Sequence, residues 1–366
     1  MINEKLNEYI SQIKKPDREA MIRAKARLDN LAKPPGSLGK LEDIAVKLAG
    51  ISGSMTFNAD KRCVIIMSSD NGVVEEGIAS APQAVTYAQT LNFVRGITGV
   101  AVLAKQFNAD LVVVDAGINA DVDNPLVLNR KIRKSTWNIA KREAMTYNEA
   151  VRAILAGIET AIKAANDGYK LLGAGEMGIG NTTTSSAVLC ALTGTQVRQA
   201  SGKGAGLSEE AYKHKIDIIE DALARNRPDP SDPVDVIAKV GGFDIAALTG
   251  VYIGGAYTRT PVVIDGFISM VAALAAYRLC PETKSYMFAS HSSYEQGYAY
   301  ASDALGLGPC LNLDMRLGEG SGCPIMFAII DAACAIIRDM GTFEQAAIDM
   351  EYVEKVKKGD NFTIPK

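Results

Sequence analysis

Histidine is scarce: His214 and His291 are the only two, and the six cysteines include no C-x-x-C pair. A zinc centre draws on closely spaced His and Cys, so no protein-bound metal is expected, and no cofactor motif is present. Cys63, Cys190, Cys280, Cys310, Cys323 and Cys334 lie mostly inside apolar stretches, as reduced core thiols do, which argues against a disulfide framework. Neither sign of charge prevails. The 39 Lys and Arg against 42 Asp and Glu leave a formal charge of −3, too little to coat a polyanion, so no nucleic-acid or membrane partner is expected. No apolar run reaches the roughly 20 residues of a membrane span. The stretch 324–337 is short, contains Asp331, and reads as a buried helix. Residues 1–14 are polar, with no apolar secretory core, so the chain is expected in the cytoplasm.

What is present is an ordinary globular composition. With 366 residues, 48% hydrophobic and 22% charged, the chain can bury a large core, in one domain with an appendage or in two domains. Residues 18–31 and 39–48 carry apolar side chains at helical spacing, separated by Pro34-Pro35-Gly36, and form a helical arm. From Arg62 the texture changes. The runs 63–67, 111–114, 171–172 and 262–264 read as fully buried strands. Each ends in small or acidic residues: Ser68-Ser69-Asp70-Asn71-Gly72, Asp115-Ala116-Gly117, Gly173-Ala174-Gly175-Glu176 and Asp265-Gly266. Strand, polar turn and helix recur, which predicts an α/β fold with a doubly wound, mostly parallel, Rossmann-like sheet whose polar turns line one cleft. Residues 118–147 interrupt the rhythm with Asp, Asn and Pro and read as an irregular excursion. The last dozen residues, lysine-rich and ending in Pro365-Lys366, are expected to be partly disordered or to pack on a neighbour.

Two glycine-rich turns are candidates for anion binding. Gly173 to Thr184 follows an apolar strand and opens a helix near Asn181, where unpaired backbone N–H groups and the helix dipole suit a phosphate. The alternative is a tight turn with packing glycines, but four glycines and three consecutive threonines exceed what a turn requires. The second turn, Gly202-Lys203-Gly204-Ala205-Gly206, precedes a capped helix start at Ser208 that carries Lys213 and Lys215. From spacing alone, a phosphate clamp and a flexible loop with solvated lysines are evenly matched there. Neither turn is a Walker loop or a dinucleotide fingerprint.

Glu319 sits among glycines in Arg316-Leu317-Gly318-Glu319-Gly320-Ser321-Gly322, between an expected strand from Leu311 and a helix starting near Pro324. Packed against an aromatic substrate its pKa would rise, as suits a general base; as a cap or surface acid it would do nothing, and residue chemistry leaves the choice open. Ser290-His291-Ser292-Ser293 has no nucleophile elbow and no second suitably placed histidine, so a hydrolase triad is rejected and His291 reads as a structural residue near the cleft.

Five segments together resemble the nicotinate mononucleotide:5,6-dimethylbenzimidazole phosphoribosyltransferase family. They are Lys33-Pro34-Pro35-Gly36-Ser37-Leu38-Gly39, the run from Gly175 to Thr183, the run from Gly241 to Ala247, Asp265-Gly266-Phe267, and the run from Leu317 to Gly322, in family order along nearly the whole chain. The resemblance implies a large doubly wound domain over 56–325. A small helical domain is built from 1–55 and 326–366. It also implies a dimer, either a homodimer or a heterodimer with a paralogue, whose partner contributes to the site. The implied reaction displaces nicotinate from nicotinate mononucleotide by an aromatic base, with inversion at C1′. Glu319 matches the general base that takes the proton of the attacking nitrogen, and Glu176 a second carboxylate near the ribose. Gly178, Gly180, Asn181, Thr182, Gly202, Gly204 and Lys215 match the phosphate and ribose cradle. Ser80, Gln89 and Leu317 match the acceptor-base pocket, while Asp70, Asp265, Ser290 and His291 are expected in or near the cleft.

Two departures stand out. Asn71 replaces the family's usual His, and Gln296-Gly297-Tyr298 replaces Pro-Gly-His. Both remove ring or cation chemistry expected near the cleft and leave the acceptor open between a benzimidazole and a phenol or p-cresol. A non-catalytic partner subunit is the rival from another class, and retention of Glu176 and Glu319 speaks against it.

Overall fold

The apolar runs that end in polar turns are strands of one sheet in the computed structural model of the chain, which describes residues 2–204, 206–349 and 351. The strands are β1 (Arg62–Ser69), β2 (Asp110–Gly117), β3 (Val127–Asn129), β4 (Leu171–Met177), β5 (Val262–Ile264) and β6 (Met287–Ala289). They lie in the order β3-β2-β1-β4-β5-β6, and every neighbouring pair is parallel. This is the doubly wound α/β architecture read from the sequence. The central strands are buried almost throughout, because helices cover both faces of a parallel sheet and no solvent-facing polar alternation is needed.

Two expectations are corrected. The excursion 118–147 is not wholly irregular, since it contributes β3 to the sheet edge, in register from Val113↔Val127 to Asp115↔Asn129. No strand runs from Leu311, which makes one isolated bridge to His291; the sixth strand is the three-residue β6. The stretch 324–337 lies, as expected, within a helix, Gly322–Asp339.

The chain divides into two compact units. The first comprises the start of the chain to Lys14 together with Asp60–Met326, and it contains the whole sheet. Helix Ile2–Ser11 belongs to it, and its Tyr9 ring meets Tyr257 edge-on at 5.1 Å. The second unit comprises Lys15–Ala59 and the chain from Phe327 onward. There, helices Arg18–Asp29 and Lys40–Ser52 bury Ala24, Leu28, Ile44 and Leu48, and Asp17 caps the first by accepting from Ala20 N–H at 3.0 Å. A buried Lys33–Glu42 pair at 2.6 Å closes the Pro-Pro-Gly turn. The last dozen residues lie outside the described part of the chain. Among the described residues no helix is long and apolar enough to cross a membrane, and no disulfide joins the cysteines.

Candidate active site

The strand order reverses between β1 and β4, where diverging loops leave a crevice beyond the carboxyl ends of the strands. A cavity of about 350 Å³ occupies this place, within the range of small-molecule sites. One end of it is cationic and the other carboxylic.

At the cationic end, β4 runs through Gly178 and Gly180 into helix Asn181–Thr193, whose first turn faces the cavity. The turn is pinned from outside: the Ile179 N–H donates to Thr86 Oγ1 at 3.1 Å. Opposite lies Lys215, fully buried, with Nζ donating to Thr182 Oγ1 and to the Gly202 carbonyl, each at 3.0 Å. This overturns the solvated-lysine reading for Lys215. Lys203 does lie on the surface, paired with Glu209. Burial pushes Lys215 down to about 8, against the opposing charge of Glu295. An ammonium has three donors and two are used here, so an anion at the helix N-terminus can take the third. Gly204 lines the cavity, whereas Gly202 stands behind it and only lends its carbonyl to Lys215.

At the carboxylic end, the loop after Leu317 carries Glu319, which is 6% exposed and has φ +64°. Gly318 and Gly320 on either side also have positive φ, +81° and +83°. A non-glycine residue in this region carries about 1–2 kcal/mol of strain and persists only where its surroundings enforce it. Sequence dictates part of that enforcement. Gly175 on β4 has no side chain, and a Cβ there would lie 2.6 Å from the Glu319 carbonyl oxygen, so the loop rests directly on the strand. Gln89 Nε2 donates to Glu319 Oε1 at 2.5 Å, while Oε2 has no hydrogen-bond partner among the described residues. Burial pushes this carboxyl above its ordinary value, with Gln89 and, more weakly, the Val100 amide opposing. Ser80, Gln89 and Leu317 all line the cavity, and Leu317, 59% exposed, stands at its rim.

Between the two ends sits Glu176, buried at the tip of β4. Asn181 Nδ2 donates to Glu176 Oε2 and also to Asp244 Oδ2, the latter at 3.1 Å. Desolvation raises both carboxyls, with the charge of Asp244 raising Glu176 further and that of Asp70 raising Asp244, so burial works against two charges here near neutrality. Asp244 does not line the cavity but acts on Glu176 from behind it, and sequence reasoning missed it although it lies inside a motif that carried the resemblance. Thr86 was missed as well, and no local pattern marks it.

The remaining expected residues divide. Asp265 and His291 line the cavity; Asp70 and Ser290 do not. Asp70 is buried behind the β1 turn, where Oδ2 accepts from Asn119 N–H at 2.8 Å. Ser290 Oγ donates to the Asp265 carbonyl at 3.0 Å and lies 3.0 Å from His291 Nδ1. Burial lowers His291 to about 4, which keeps the ring neutral, and its 3.9 Å approach to Asp265 is too long for a hydrogen bond. None of the departures noted in the sequence, Asn71, Gln296, Gly297 and Tyr298, lines the cavity, although Gln296 is exposed in the adjoining groove with Glu295, Arg316 and Leu317. Asn71 and Tyr298 are buried.

The family model described as Phosphoribosyltransferase matches residues 13–348. Nicotinate-nucleotide–dimethylbenzimidazole phosphoribosyltransferase of Clostridium perfringens is 55% identical over 359 residues, covering 98% of this chain and 99% of the relative. The protein of that name from Ruminiclostridium cellulolyticum is 54% identical over 342 residues, 93% of this chain and 97% of its own. Among solved structures, nicotinate-nucleotide–dimethylbenzimidazole phosphoribosyltransferase from Thermus thermophilus superposes with a TM-score of 0.86 at 39% identity, covering 91% of this chain and 99% of that one.

Proposed function

The chain belongs to the nicotinate-nucleotide–dimethylbenzimidazole phosphoribosyltransferase family, and we propose that it transfers the 5-phosphoribosyl group of nicotinate mononucleotide to 5,6-dimethylbenzimidazole. The products are nicotinate and α-ribazole 5′-phosphate, the nucleotide of a cobalamin lower ligand. One observation carries this assignment at the level of residues: a single cavity places Lys215 and a helix N-terminus at one end and the Glu319 carboxylate at the other.

The phosphate of the donor occupies the cationic end, held by Lys215 and the N-terminus of helix Asn181–Thr193. Binding energy gathered there, remote from the reacting carbon, holds C1′ in place. The C1′–N bond to nicotinate breaks, and its electron pair returns to the pyridine nitrogen, neutralising that ring's positive charge. The benzimidazole nitrogen forms the new bond on the opposite face. Glu319, bonded through one oxygen to Gln89, takes the proton released from the benzimidazole with the other. The negative charge left on the Glu176–Asp244 pair faces the cationic ribosyl group as it develops.

Glu319→Gln should lower kcat by roughly 100–10,000-fold, the range for loss of a general base. Nicotinate mononucleotide should still bind with unchanged affinity by calorimetry. Weakened donor binding with turnover preserved would overturn the assignment. Incubating the purified chain with nicotinate mononucleotide and a mixture of dimethylbenzimidazole, benzimidazole, phenol and p-cresol, with products read by mass, tests the acceptor. The expected product is the dimethylbenzimidazole nucleotide, and preferential phosphoribosylation of a phenol oxygen would refute it.

Further to this, the enzyme acts in the cytoplasm as a dimer, homomeric or paired with a paralogue. Exposed Ile97 and Val102 near or on helix Gly99–Gln106 offer apolar surface for a partner. Light scattering of the purified chain should report twice the monomer mass, and a monomer that is fully active alone would count against it.

A further inference from the structure

Three consecutive left-handed residues place the Glu319 carboxylate in the cavity, and Glu319, through its bond to Gln89, is the one among Gly318–Ser321 whose side chain helps to hold them there. Two of the three are glycines, and the Ser321 hydroxyl has no hydrogen-bond partner among the described residues. The backbone just beyond Glu319 is held by Asp265, the residue that follows β5. Its Oδ2 accepts the Gly320 N–H at 3.0 Å and its Oδ1 accepts the Gly322 N–H at 2.7 Å. Both oxygens of one carboxylate are thus spent on backbone amides just beyond Glu319.

The backbone of Asp265 is in turn held at both its N–H and its carbonyl. Its N–H donates to Ser269 Oγ at 3.1 Å, and Ser269 Oγ donates to the Ala174 carbonyl of β4 at 2.9 Å. Its carbonyl accepts from Ser290 Oγ at 3.0 Å. The side chain is almost wholly buried. A chain of hydrogen bonds therefore runs from the sheet through Asp265 to the loop that carries the base, without passing through the phosphate end.

We infer that Asp265 is a positioning residue for the reaction: by gripping Gly320 and Gly322 it imposes the left-handed conformation that aims Glu319 at the acceptor. The inference rests on the reading of Glu319 as the base. It also gives Ser290 a purpose, as a brace for Asp265 rather than as a nucleophile.

The test is Asp265→Asn, which keeps the shape but offers one acceptor oxygen where two are needed. Misplacing a catalytic group by about 1 Å costs on the order of a hundredfold, so kcat should fall by about that factor. The dissociation constant for nicotinate mononucleotide should stay within about twofold, since the phosphate anchors are untouched. A crystal structure of the variant should show Glu319 out of its left-handed conformation or its bond to Gln89 broken. The inference is overturned if Asp265→Asn retains wild-type kcat, or if its main effect is weaker donor binding, which would mean that Asp265 holds ribose directly. Failure of the base reading looks different: Glu319→Gln would stay active while Asp265→Asn was impaired. Should the variant not fold, the wild-type enzyme still decides. Hydrogen exchange at the Gly320 and Gly322 amides should be slow, and exchange as fast as in an open loop would refute the clamp.

Discussion

Lys215 illustrates how one buried residue ties activity to pH. Its ammonium is what an incoming phosphate needs, and burial brings its pKa down to about 8 from an ordinary 10.5. Below about 8 the ligand-free enzyme holds the charged form, and above it the charge is lost. Donor affinity measured by calorimetry should therefore weaken as pH rises through about 8. Stability moves the other way. Between that value and 10.5 the unfolded chain binds more protons than the native one, so the ligand-free protein should gain stability as pH rises across the window. Gln89 makes a complementary case at the carboxylic end. Its hydrogen bond favours the ionised form of Glu319, opposing burial. Gln89→Ala should raise the Glu319 pKa further, so the acidic limb of the pH–rate profile should move to higher pH; a shift to lower pH would contradict that sign. The identity of both charged residues was legible in the sequence, but their environment was not. Nothing near Lys215 in sequence shows that it is buried rather than solvated, because its partners Thr182 and Gly202 come from other turns.

Elements differ in how plainly they announce themselves. β1, β2, β4 and β5 carry continuous apolar runs followed by polar turns, a pattern that a buried parallel strand requires. β3 and β6 are three residues each, as is β5, but they sit at the two edges of the sheet, where each pairs with a single neighbour. Helix Phe243–Tyr257 is apolar nearly all round, which its complete burial explains. It crosses helix Tyr147–Asn166 so closely that a Cβ at Gly250 would lie 1.9 Å from the Ile154 carbonyl oxygen. Gly250→Ala must push the two helices apart and should destabilise the enzyme by about 1–3 kcal/mol, the usual cost of overpacking. A lowered melting temperature checks this, and an unchanged one would show that the contact yields easily. The same backbone intimacy lets the Glu319 loop lie on Gly175 of β4.

For the whole molecule, a ligand that bridges the two ends of the cavity should stabilise the fold. Nicotinate mononucleotide at a hundredfold excess over its dissociation constant should add about 2.7 kcal/mol, visible as a raised melting temperature in scanning fluorimetry. Lys215→Met should abolish most of that gain, because it keeps the buried stem but removes the charge and its hydrogen bonds to Thr182 and Gly202. By itself, the sequence determined the fold class and the family, and it singled out the two glutamates that the cavity brings together. Apolar runs set strand burial locally, and the motif residues are contiguous in the chain. Only the tertiary structure decided that Lys215 is buried, that Asp244 shares Asn181 with Glu176, that Asn71 and Tyr298 lie behind the wall, and that Asp265 grips the Glu319 loop. Those relations join residues tens to hundreds of positions apart. Their chemistry depends on distance and desolvation, which exist only once the sheet has brought the turns together.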